Sequence, residues 1–371
     1  MGKSVDEIIA GYDPNRPLTT ASTPPSSWYT DSSVFELEQP TVFSHTWQFI
    51  GRSEQVRDPG QYISCAIAGE PILVVRGNDA ILRGFFNVCR HHAAAVITQS
   101  EGTAQSLRCP YHGWTYNLEG VLILTPEFAR VNDFDRSANG LLTVETDVWK
   151  NWVFVKLAQG NPSLQSFLGE DLVEHFGRMN LEQLKWFERR SYTLNCNWKV
   201  FVDNYLDGGY HVPHLHRSLN SVLDYSNYTI ETGKRFCLQS SPMVSNQSEG
   251  DASELRRGER AFYYWIYPNL MINTYTGVMD TNLVIPRGVD RTEVIFDYYF
   301  ADISPGAKEQ NLASIALSEQ IQAEDVGICE SVQRGLASRS YSAGRLSVRR
   351  EAGEHLFHKL LYADLKAGLN G

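Results

Sequence analysis

Residues 87–116 read NVCRHHAAAVITQSEGTAQSLRCPYHGWTY, and this stretch decides how the surrounding chain folds. It holds two pairs of metal-binding side chains, Cys89 with His91 and Cys109 with His112, in C-x-H and C-x-x-H spacing. Each pair follows a short β-like run, so two loops can bring all four side chains to one metal centre. Two thiolates and two imidazoles suit either a structural zinc ion or a [2Fe–2S] cluster in which one iron takes two histidines.

The pairing of the ligands separates these alternatives. The usual zinc pattern keeps Cys with Cys and His with His, whereas here each loop supplies one Cys and one His. This mixed pairing, together with the sequence CPYHGW, resembles the Rieske iron–sulfur motif. The resemblance implies that Cys89 and Cys109 bind one iron and that His91 and His112 bind the other. His92 is interpreted as a neighbour that shapes the loop.

The sequence on either side of this motif is β-like. Residues 47–157 form a series of short apolar runs broken by turns, and NLEG at residues 117–120 is a hairpin signal. We therefore predict a small all-β domain, which the motif identifies as a Rieske domain. Residues 1–46 are an irregular arm rich in Pro, Ser and Thr and then a short helix over residues 33–46, and we expect them to pack with the C-terminal domain.

Residues 158–371 show a different pattern. Residues 158–190 are polar and helix-compatible, and strand-like, aromatic-rich segments follow. After Ser304-Pro305-Gly306, the stretch Lys308–Ser338 is typical of one long helix. Strands followed by a long helix predict an α+β domain in which the helix lies on an antiparallel sheet. The predicted strands are SYTLNCNWKVFV (191–202), FYYWIYPNLMINTY (262–275) and TEVIFDYYF (292–300).

A second group of metal-binding residues lies in NWKVFVDNYLDGGYHVPHLH. His211 and His216 are in H-x4-H spacing, with Asp203, Asn204 and Asp207 just upstream. Two imidazoles and one carboxylate with open positions form the facial triad of non-haem Fe(II) oxygenases. The alternative is a histidine-rich segment that packs or binds metal adventitiously. A Rieske domain carries electrons but does no substrate chemistry itself, so the triad gives those electrons a use.

The missing carboxylate is predicted on the long helix. Its apolar stripe is read as Leu317, Ile321, Ile328, Val332 and Leu336. Asp325 falls within this stripe, whereas Glu324 lies roughly 80° from its centre. A carboxylate on a buried face is paired or binds metal. Asp325 is therefore our third iron ligand, and a buried ion pair is the alternative.

The two motifs in this order resemble the catalytic subunit of the Rieske non-haem iron oxygenases over nearly the whole chain. The resemblance implies a helix-grip catalytic domain at residues 158–371, with an antiparallel sheet around a long C-terminal helix. It also implies a mononuclear non-haem Fe(II) besides the Rieske cluster, and a ferredoxin or an NAD(P)H-dependent reductase as electron donor. A ring of three subunits is common in the family, with the Rieske centre of one subunit serving the iron of its neighbour.

One position departs from the family pattern. Many members place a carboxylate that bridges the two metal centres three residues before the first iron histidine, and here that position is Gly208. We expect Asp207 to be the bridge, with Asp203 next in line. Gly208 and Gly209 lack a Cβ and make the necessary distortion of the backbone cheap.

The stretches CNWKVFVDNYLDGGYHVP, YPNLMINTY and MDTNLVIPRG resemble the choline monooxygenase subfamily, which converts choline to betaine aldehyde, a step towards glycine betaine. A quaternary ammonium has no N–H donor, so aromatic faces and a carboxylate must recognise it. Tyr263, Trp265 and Tyr267 share one side of a predicted strand and are candidates for such faces. The alternative is that these rings pack the core of the sheet.

Other functions fit the same motifs. The oxygenase could demethylate a betaine or hydroxylate an aromatic acid; the acid would need an arginine, and Arg287 and Arg291 are predicted in a turn. A non-enzymatic electron carrier would have no use for His211, His216 and Asp325.

The composition of the chain excludes further classes of protein. The 371 residues are 42% hydrophobic and 20% charged, which excludes wholesale disorder, and a net charge of −10 argues against an extended nucleic-acid surface. The sequence has no apolar run that could span a bilayer and does not begin as a secretory signal. We expect a protein of the cytoplasm, or of the plastid stroma if a transit peptide has been removed. Six cysteines are too few for a disulfide scaffold.

Overall fold

The computed structural model of the protein describes residues 3–244, 255–256 and 258–370. The chain divides into two compact units, residues 39–167 and residues 1–38 with 168–371. Within the described part, no helix is both long enough and apolar enough to cross a membrane.

The unit of residues 39–167 is built of antiparallel strands. Among its described residues, one sheet has the order β1-β10-β9-β4-β3-β2-β5, and β6, β7 and β8 form a second, three-stranded sheet. The predicted turn at residues 117–120 joins β7 and β8. The strands are β1 Gln48–Arg52, β2 Gln61–Ile67, β3 Glu70–Arg76, β4 Leu82–Phe86, β5 Glu101–Thr103, β6 Leu107–Arg108, β7 Thr115–Tyr116, β8 Leu122–Leu124, β9 Thr143–Trp149 and β10 Trp152–Lys156.

Strand β3 explains why this unit has two cores. Successive side chains of a strand point to opposite faces. Leu73 and Val75 pack on one face with Cys89 and Cys109, whereas Ile72 and Val74 pack on the other face with the aliphatic side chains of β10. The cysteines predicted to bind the cluster therefore lie in a hydrophobic core.

The second unit contains a seven-stranded antiparallel sheet, counted over its described residues, in the order β11-β17-β16-β15-β14-β13-β12. This sheet and a long helix of 29 residues confirm the predicted α+β fold with an antiparallel sheet. The strands are β11 Lys185–Leu194, β12 Thr229–Thr232, β13 Phe236–Pro242, β14 Arg260–Ile266, β15 Leu270–Tyr275, β16 Val278–Gly288 and β17 Arg291–Phe300.

The helices lie mostly in the second unit. The described α-helices are α1 Val5–Ile9, α2 Ser27–Thr30, α3 Ser32–Glu38, α4 Leu164–Leu168, α5 Glu170–Gly177, α6 Trp198–Leu206, α7 Val212–Leu215, α8 Arg217–Asn220, α9 Lys308–Leu336 and α10 Ala352–Asn370. Helix α9 contacts α6 and β11, and α10 contacts α6 and β12.

Three local predictions differ from the structure. The helix predicted over residues 33–46 ends as an α-helix at Glu38 and continues as a π-helical turn, Gln39–Phe43, because Pro40 cannot donate a backbone hydrogen bond. Residues 185–190, which were predicted to be helix-compatible, belong to strand β11. The strand predicted over residues 191–202 stops at Leu194.

Helix α6 replaces the second half of that predicted strand. The side chain of Asn197 accepts a hydrogen bond from the backbone N–H of Lys199 and caps the helix. Trp198, Val200 and Phe201 are all buried, so the helix is apolar on several faces. Aromatic and β-branched residues without a polar face imitate a buried strand, which is why the sequence pattern predicted the wrong element here.

The buried face of α9 also differs from the predicted stripe. Ile328 and Val332 are 39% and 44% exposed. The side chains buried along the helix are largely polar or small, and Asp325 lies among them, between Gln322 and Cys329. The buried set is Asn311, Ser314, Ile315, Ser318, Gln322, Cys329 and Leu336.

Candidate active site

The loops that carry the two Cys–His pairs have the same backbone design. The N–H of Cys89 donates to the carbonyl of Ala94, and the N–H of Cys109 donates to that of Trp114, at 2.8 and 2.9 Å. Each loop contains a residue in the left-handed conformation, Ala93 (φ 60°) and Gly113 (φ 71°). Each loop is therefore closed by its own backbone, which fixes the direction of its cysteine and histidine.

The four side chains of these loops meet at one place. Cys89 and Cys109 are each 2% exposed and their thiols interact. The ring centroids of His91 and His112 are 4.7 Å apart, and His91 stacks on Trp114 at 4.6 Å. Burial raises the pKa of the Cys109 thiol and lowers that of His91.

This donor set fits a [2Fe–2S] cluster. The two thiols are buried side by side, with the Tyr116 hydroxyl 3.5 Å from Cys89 Sγ, and Nδ1 of His91 is buried without a hydrogen-bond partner among the described residues. A metal at that nitrogen would satisfy it. His92 is exposed, with its ring 4.1 Å from that of His91.

The second constellation is positioned by a turn that requires glycine. Gly208 and Gly209 have φ values of +68° and +67°, and they turn the chain between α6 and α7. A Cβ on Gly208 would lie 2.1 Å from the backbone oxygen of Arg350. The turn brings Asp207 back to His211, where its Oδ2 accepts from the backbone N–H at 3.0 Å and lies 2.5 Å from Nδ1.

His211, His216 and Asp325 lie close enough to hold one metal ion, with one ligand atom from each within 4.8 Å of the others. Asp325 Oδ1 is 3.1 Å from Nε2 of His216 and 3.9 Å from Nε2 of His211. The two rings are 4.8 Å apart and nearly perpendicular. Two imidazole nitrogens that face one carboxylate are the donors expected for a non-haem iron.

On the side of each histidine ring that faces away from Asp325, a carboxylate contacts Nδ1. Asp207 binds Nδ1 of His211, and Glu324 Oε2 lies 2.6 Å from Nδ1 of His216. With Nδ1 held in this way, each ring presents Nε2 towards Asp325. Asn204 Nδ2 donates to Asp325 Oδ1 at 2.8 Å and orients the third ligand.

The pKa of His216 reflects this arrangement. Burial disfavours the charged ring and is the largest single effect, but the carboxylates of Asp325 and Glu324 outweigh it together and raise the pKa. A site that concentrates negative charge around two imidazoles is suited to a divalent cation.

A cavity of about 120 Å³ adjoins the three ligands. One wall is aromatic and is formed by Tyr205, Tyr228, Tyr263 and Tyr275. The rings of Tyr228 and Tyr263 are nearly parallel with centroids 6.5 Å apart, and the hydroxyls of Tyr263 and Tyr275 are 3.0 Å apart. Burial raises the pKa of all four phenols, so they are neutral.

The polar part of the cavity holds one carboxylate and one guanidinium. Asp280 is 3% exposed and accepts hydrogen bonds from the carboxamides of Asn273 and Asn282 at 2.7 and 2.8 Å. Burial raises its pKa, and Arg256 opposes that shift. Arg256 is bound by the hydroxyls of Ser314 and Ser318 on α9 and lies over the Tyr275 ring at 4.9 Å.

Comparison with known proteins places the chain in a family. Residues 46–135 match the Rieske [2Fe-2S] domain, and residues 181–366 match the catalytic domain of the ring hydroxylating alpha subunit. The chloroplastic choline monooxygenase of Arabidopsis thaliana is 36% identical over 98% of this chain and 87% of its own length. The chain belongs to the Rieske non-haem iron oxygenases.

Other relatives of this Rieske oxygenase extend the comparison. The carnitine monooxygenase oxygenase subunit of Escherichia coli (strain K12) is 30% identical over 92% of this chain and 93% of its own length. The crystal structure of a quaternary ammonium Rieske monooxygenase in complex with L-carnitine matches with a TM-score of 0.81 and 26% identity over 99% of both chains. Naphthalene 1,2-dioxygenase from Rhodococcus sp. shares the fold, with a TM-score of 0.77 and 21% identity over 93% of this chain and 94% of its own.

The matches to both domain families confirm the two cofactors predicted from the motifs, a Rieske cluster and a mononuclear non-haem iron. In this Rieske oxygenase Cys89, His91, Cys109 and His112 converge in one unit. The three residues predicted for the mononuclear iron converge in the other.

Several other predicted site residues lie elsewhere. Asp203 faces away from the iron ligands, since it binds the hydroxyl of Tyr29 at 2.7 Å and Nε2 of His358 at 2.9 Å. The exposed side chain of Arg287 pairs with Glu293 on the surface of the β16–β17 hairpin. Arg291 begins β17 and is exposed.

The structure corrects part of the predicted aromatic wall. Tyr263 lines the cavity, but Trp265 near the end of β14 and Tyr267 just after it pack against Phe357 of α10. The Trp265 indole donates to the Pro268 carbonyl and the Tyr267 hydroxyl to Asp364. The Trp265 and Tyr267 rings are 0% and 1% exposed, so they fill the hydrophobic core beyond the cavity.

Sequence reasoning missed the polar residues of the cavity. Asp280 and Asn282 are two apart on β16, and Asn273 pairs with Asp280 on β15, so all three share one face. Polar residues that alternate within apolar strands could have revealed this face. Arg256 gives no comparable signal, because it lies outside any strand pattern.

Proposed function

We propose that the protein is the oxygenase component of a choline monooxygenase and oxidises choline to betaine aldehyde hydrate. The observation that carries the proposal is a cavity beside the iron ligands with four tyrosines and one buried carboxylate, Asp280. Five choline monooxygenases are related at 31–36% identity over 98% of the chain, against 27–30% over 92% for three carnitine monooxygenases.

The cavity suits the chemistry of a quaternary ammonium. Its methyl groups spread a positive charge over an apolar surface that cannot donate an N–H hydrogen bond, so aromatic faces and an unpaired carboxylate attract it. Asp280 is costly to ionise because it is buried. A cation in the cavity favours its ionised form, so substrate binding and ionisation of Asp280 reinforce each other.

The protein holds the reacting groups in place and excludes water. When bound, the Rieske cluster supplies single electrons and the mononuclear iron activates O2 for insertion into a C–H bond. Asp207 and Glu324 fix the two imidazoles, and Asn204 fixes Asp325. Apolar side chains of the cavity limit access of water to the reacting carbon, namely Phe201, Leu219, Leu223, Phe296 and Ile321.

We propose that electrons come from a separate ferredoxin or reductase and that three copies of the chain form a ring. Asp207 then joins His211 to a Rieske histidine of a neighbouring copy. Its contact with Nδ1 of His211 is one half of such a bridge, and its side chain is 16% exposed, which leaves it accessible to a second partner. The proposed compartment is the cytoplasm or the plastid stroma.

The test is oxygen uptake and product analysis with choline, carnitine, glycine betaine and an aromatic acid. We expect choline-dependent oxygen uptake with betaine aldehyde as product. Asp280→Asn should raise KM for choline about tenfold, or ~1.4 kcal/mol, because it removes the charge that faces the ammonium. Asp290→Asn, in the exposed turn of the same hairpin, is the matched control and should leave KM unchanged.

The pH dependence of KM provides a second readout. The raised pKa of Asp280 means that its charge is lost as pH falls through that pKa. KM for choline should therefore rise towards acidic pH in the wild type and stay flat in Asp280→Asn. Equal KM values in both proteins at all pH values would contradict the role of Asp280.

A zwitterionic substrate such as carnitine or a betaine is the second candidate, because Arg256 lines the cavity and a guanidinium can bind a carboxylate. Arg256→Gln separates the two. It should raise KM sharply for a carboxylate-bearing substrate, whereas choline has no group that needs the guanidinium. Turnover of carnitine but not choline would establish the second candidate.

A further inference from the structure

A second cavity lies behind the iron ligands. It has a volume of about 190 Å³, and its polar lining includes Tyr29, Asp203, Asn204 and Glu354. Asn204 lines both this cavity and the active-site cavity, and its carboxamide binds Asp325. The wall between the two cavities is therefore formed in part by one hydrogen-bonding side chain.

A cluster of three titratable groups borders the second cavity. One ligand-type atom each of Asp203, Glu354 and His358 lies within 4.8 Å of the others. His358 is fully buried and its Nε2 is 2.9 Å from Asp203 Oδ1 and 4.0 Å from Glu354 Oε1. Its Nδ1 has no hydrogen-bond partner in the described chain, and its Nε2 also lies 3.3 Å from the hydroxyl of Tyr29.

The surroundings of Glu354 favour its protonated form. Glu354 is 6% exposed, and burial followed by the charges of Asp203, Glu351 and Asp207 raises its pKa well above the usual range. Other titratable groups lie near the cluster and interact with it electrostatically. They are Tyr12, Tyr29, Lys199, Asp207, Cys329, Glu351 and His355.

We propose that Asp203, Glu354 and His358 are a proton store that supplies the active-site cavity through water in the second cavity, past the side chain of Asn204. The balance of the reaction requires such a supply: C–H + O2 + 2 electrons + 2 protons give C–OH + H2O. The electrons arrive through the Rieske cluster from the reductase, but the protons must reach a buried site separately. This need is the same for any substrate that the oxygenase accepts.

The second cavity is suited to this transfer. Its volume and its hydroxyl, carboxamide and carboxyl groups meet the requirements for bound water. Tyr341 and Val332 line it and are 40% and 44% exposed, so the cavity lies next to the surface from which the store would be refilled. Cys329 lies in the same lining, one helical turn after Asp325 on α9.

The first test compares Glu354→Gln with Glu309→Gln, which removes an exposed acid in the first turn of α9. Glu354→Gln should lower kcat about tenfold or more and enlarge the solvent deuterium isotope effect on kcat, with unchanged KM and iron content. Glu354→Asp should restore part of the rate, and Glu309→Gln should behave as wild type. A wild-type rate and isotope effect in Glu354→Gln would overturn the proposal.

The second test needs no substrate. The infrared difference between wild type and Glu354→Gln at pH 7 should show the carbonyl band of a protonated carboxylic acid, because the proposal requires Glu354 to hold a proton there. Absence of that band overturns the proposal even if turnover is slow. A stoichiometric metal ion that is lost in Glu354→Gln but kept in Asp325→Ala also overturns it, since the cluster would then be a metal site. Neither the infrared band nor the metal content depends on the substrate. Both therefore test the proton store even if the protein does not oxidise choline.

Discussion

The two iron centres of this oxygenase are built in opposite ways. The proposed Rieske ligands all lie within residues 89–112, in two loops that are closed by hydrogen bonds of their own backbone, with both sulfurs in a hydrophobic core. The proposed mononuclear ligands come from a turn after α6 and from α9, and carboxylates of other residues contact both histidines. The second centre adjoins a cavity with polar and aromatic walls.

This difference follows from the work that each centre performs. An electron carrier benefits from fixed ligands and low polarity, which short loops over a packed core provide. A centre that binds O2 and substrate needs open positions and proton donors, so its ligands lie on elements that also line a cavity. We therefore expect the cluster to tolerate changes that disable the mononuclear iron.

Ligand substitutions should separate the two centres completely. Wild type should hold about three irons per chain, two of them with acid-labile sulfide. His211→Ala, His216→Ala and Asp325→Ala should each abolish turnover and leave the cluster spectrum intact, because the ligand sets are distinct. His91→Ala or His112→Ala should remove the cluster spectrum and retain the other iron.

Two outcomes would break that separation. Stoichiometric zinc at Cys89 and Cys109 would exclude a Rieske cluster. An inactive Glu324→Ala together with an active Asp325→Ala would show that the third ligand is misassigned.

Electron transfer between the centres should depend on Asp207. Asp207→Asn should retain both metals and substrate binding but slow cluster reoxidation about a hundredfold, since a neutral side chain holds the imidazole less firmly. Single-turnover kinetics with a pre-reduced cluster measures this rate. Asp203→Asn is the control: its side chain contacts Tyr29 and His358, so the effect should be milder. An unchanged rate in Asp207→Asn would place the bridge elsewhere.

The left-handed glycines of the two centres should differ in their tolerance of alanine. Gly208→Ala adds a Cβ at 2.1 Å from a backbone oxygen and should lower the free energy of unfolding by about 2–4 kcal/mol, with loss of the mononuclear iron. Gly113→Ala adds a Cβ whose nearest neighbours are side-chain atoms of Arg108 and Pro126, at 3.3 Å and 3.4 Å, and should cost about 1–2 kcal/mol.

Ala93 at the equivalent position of the other Rieske loop shows that alanine fits this backbone conformation. Denaturant unfolding, followed with iron and sulfide content, checks the comparison. Equal losses in the two variants would contradict it.

The smallest effect is expected where a carboxylate only orients a ligand. Glu324→Gln retains an oxygen that can accept from Nδ1 of His216 but loses the charge, so iron affinity should fall about tenfold. Glu319→Gln on the same helix removes a surface partner of Arg190 and should leave iron affinity unchanged. Competition with a chelator measures both, and the cluster should be unaffected in either variant.

The Rieske centre was predictable from the sequence because its geometry is local. Two short spacings and one hairpin signal specified the loops that the structure contains. The α+β fold followed equally from apolar strands and one long helix. The ends of β11 and α6 were not predictable, because fully buried helices and strands share the same apolar composition.

The environment of the mononuclear iron depends on contacts between distant elements. The sequence allowed Asp325 to be selected as a ligand. The apolar stripe used for that choice was wrong, because the buried face of α9 is largely polar. Glu324 was weighed only as a ligand, and its role beside His216 becomes visible once α9 is packed against the α7 segment. His358 and Glu354 gave no signal, because α10 was not predicted.

The most direct test of the proposed function is oxygen consumption by the purified protein, loaded with both iron centres, with a reductase system and choline. We predict one betaine aldehyde per O2 consumed, with loss of product in Asp325→Ala and retention of the cluster spectrum. Absence of choline-dependent product from protein with both centres intact would contradict it.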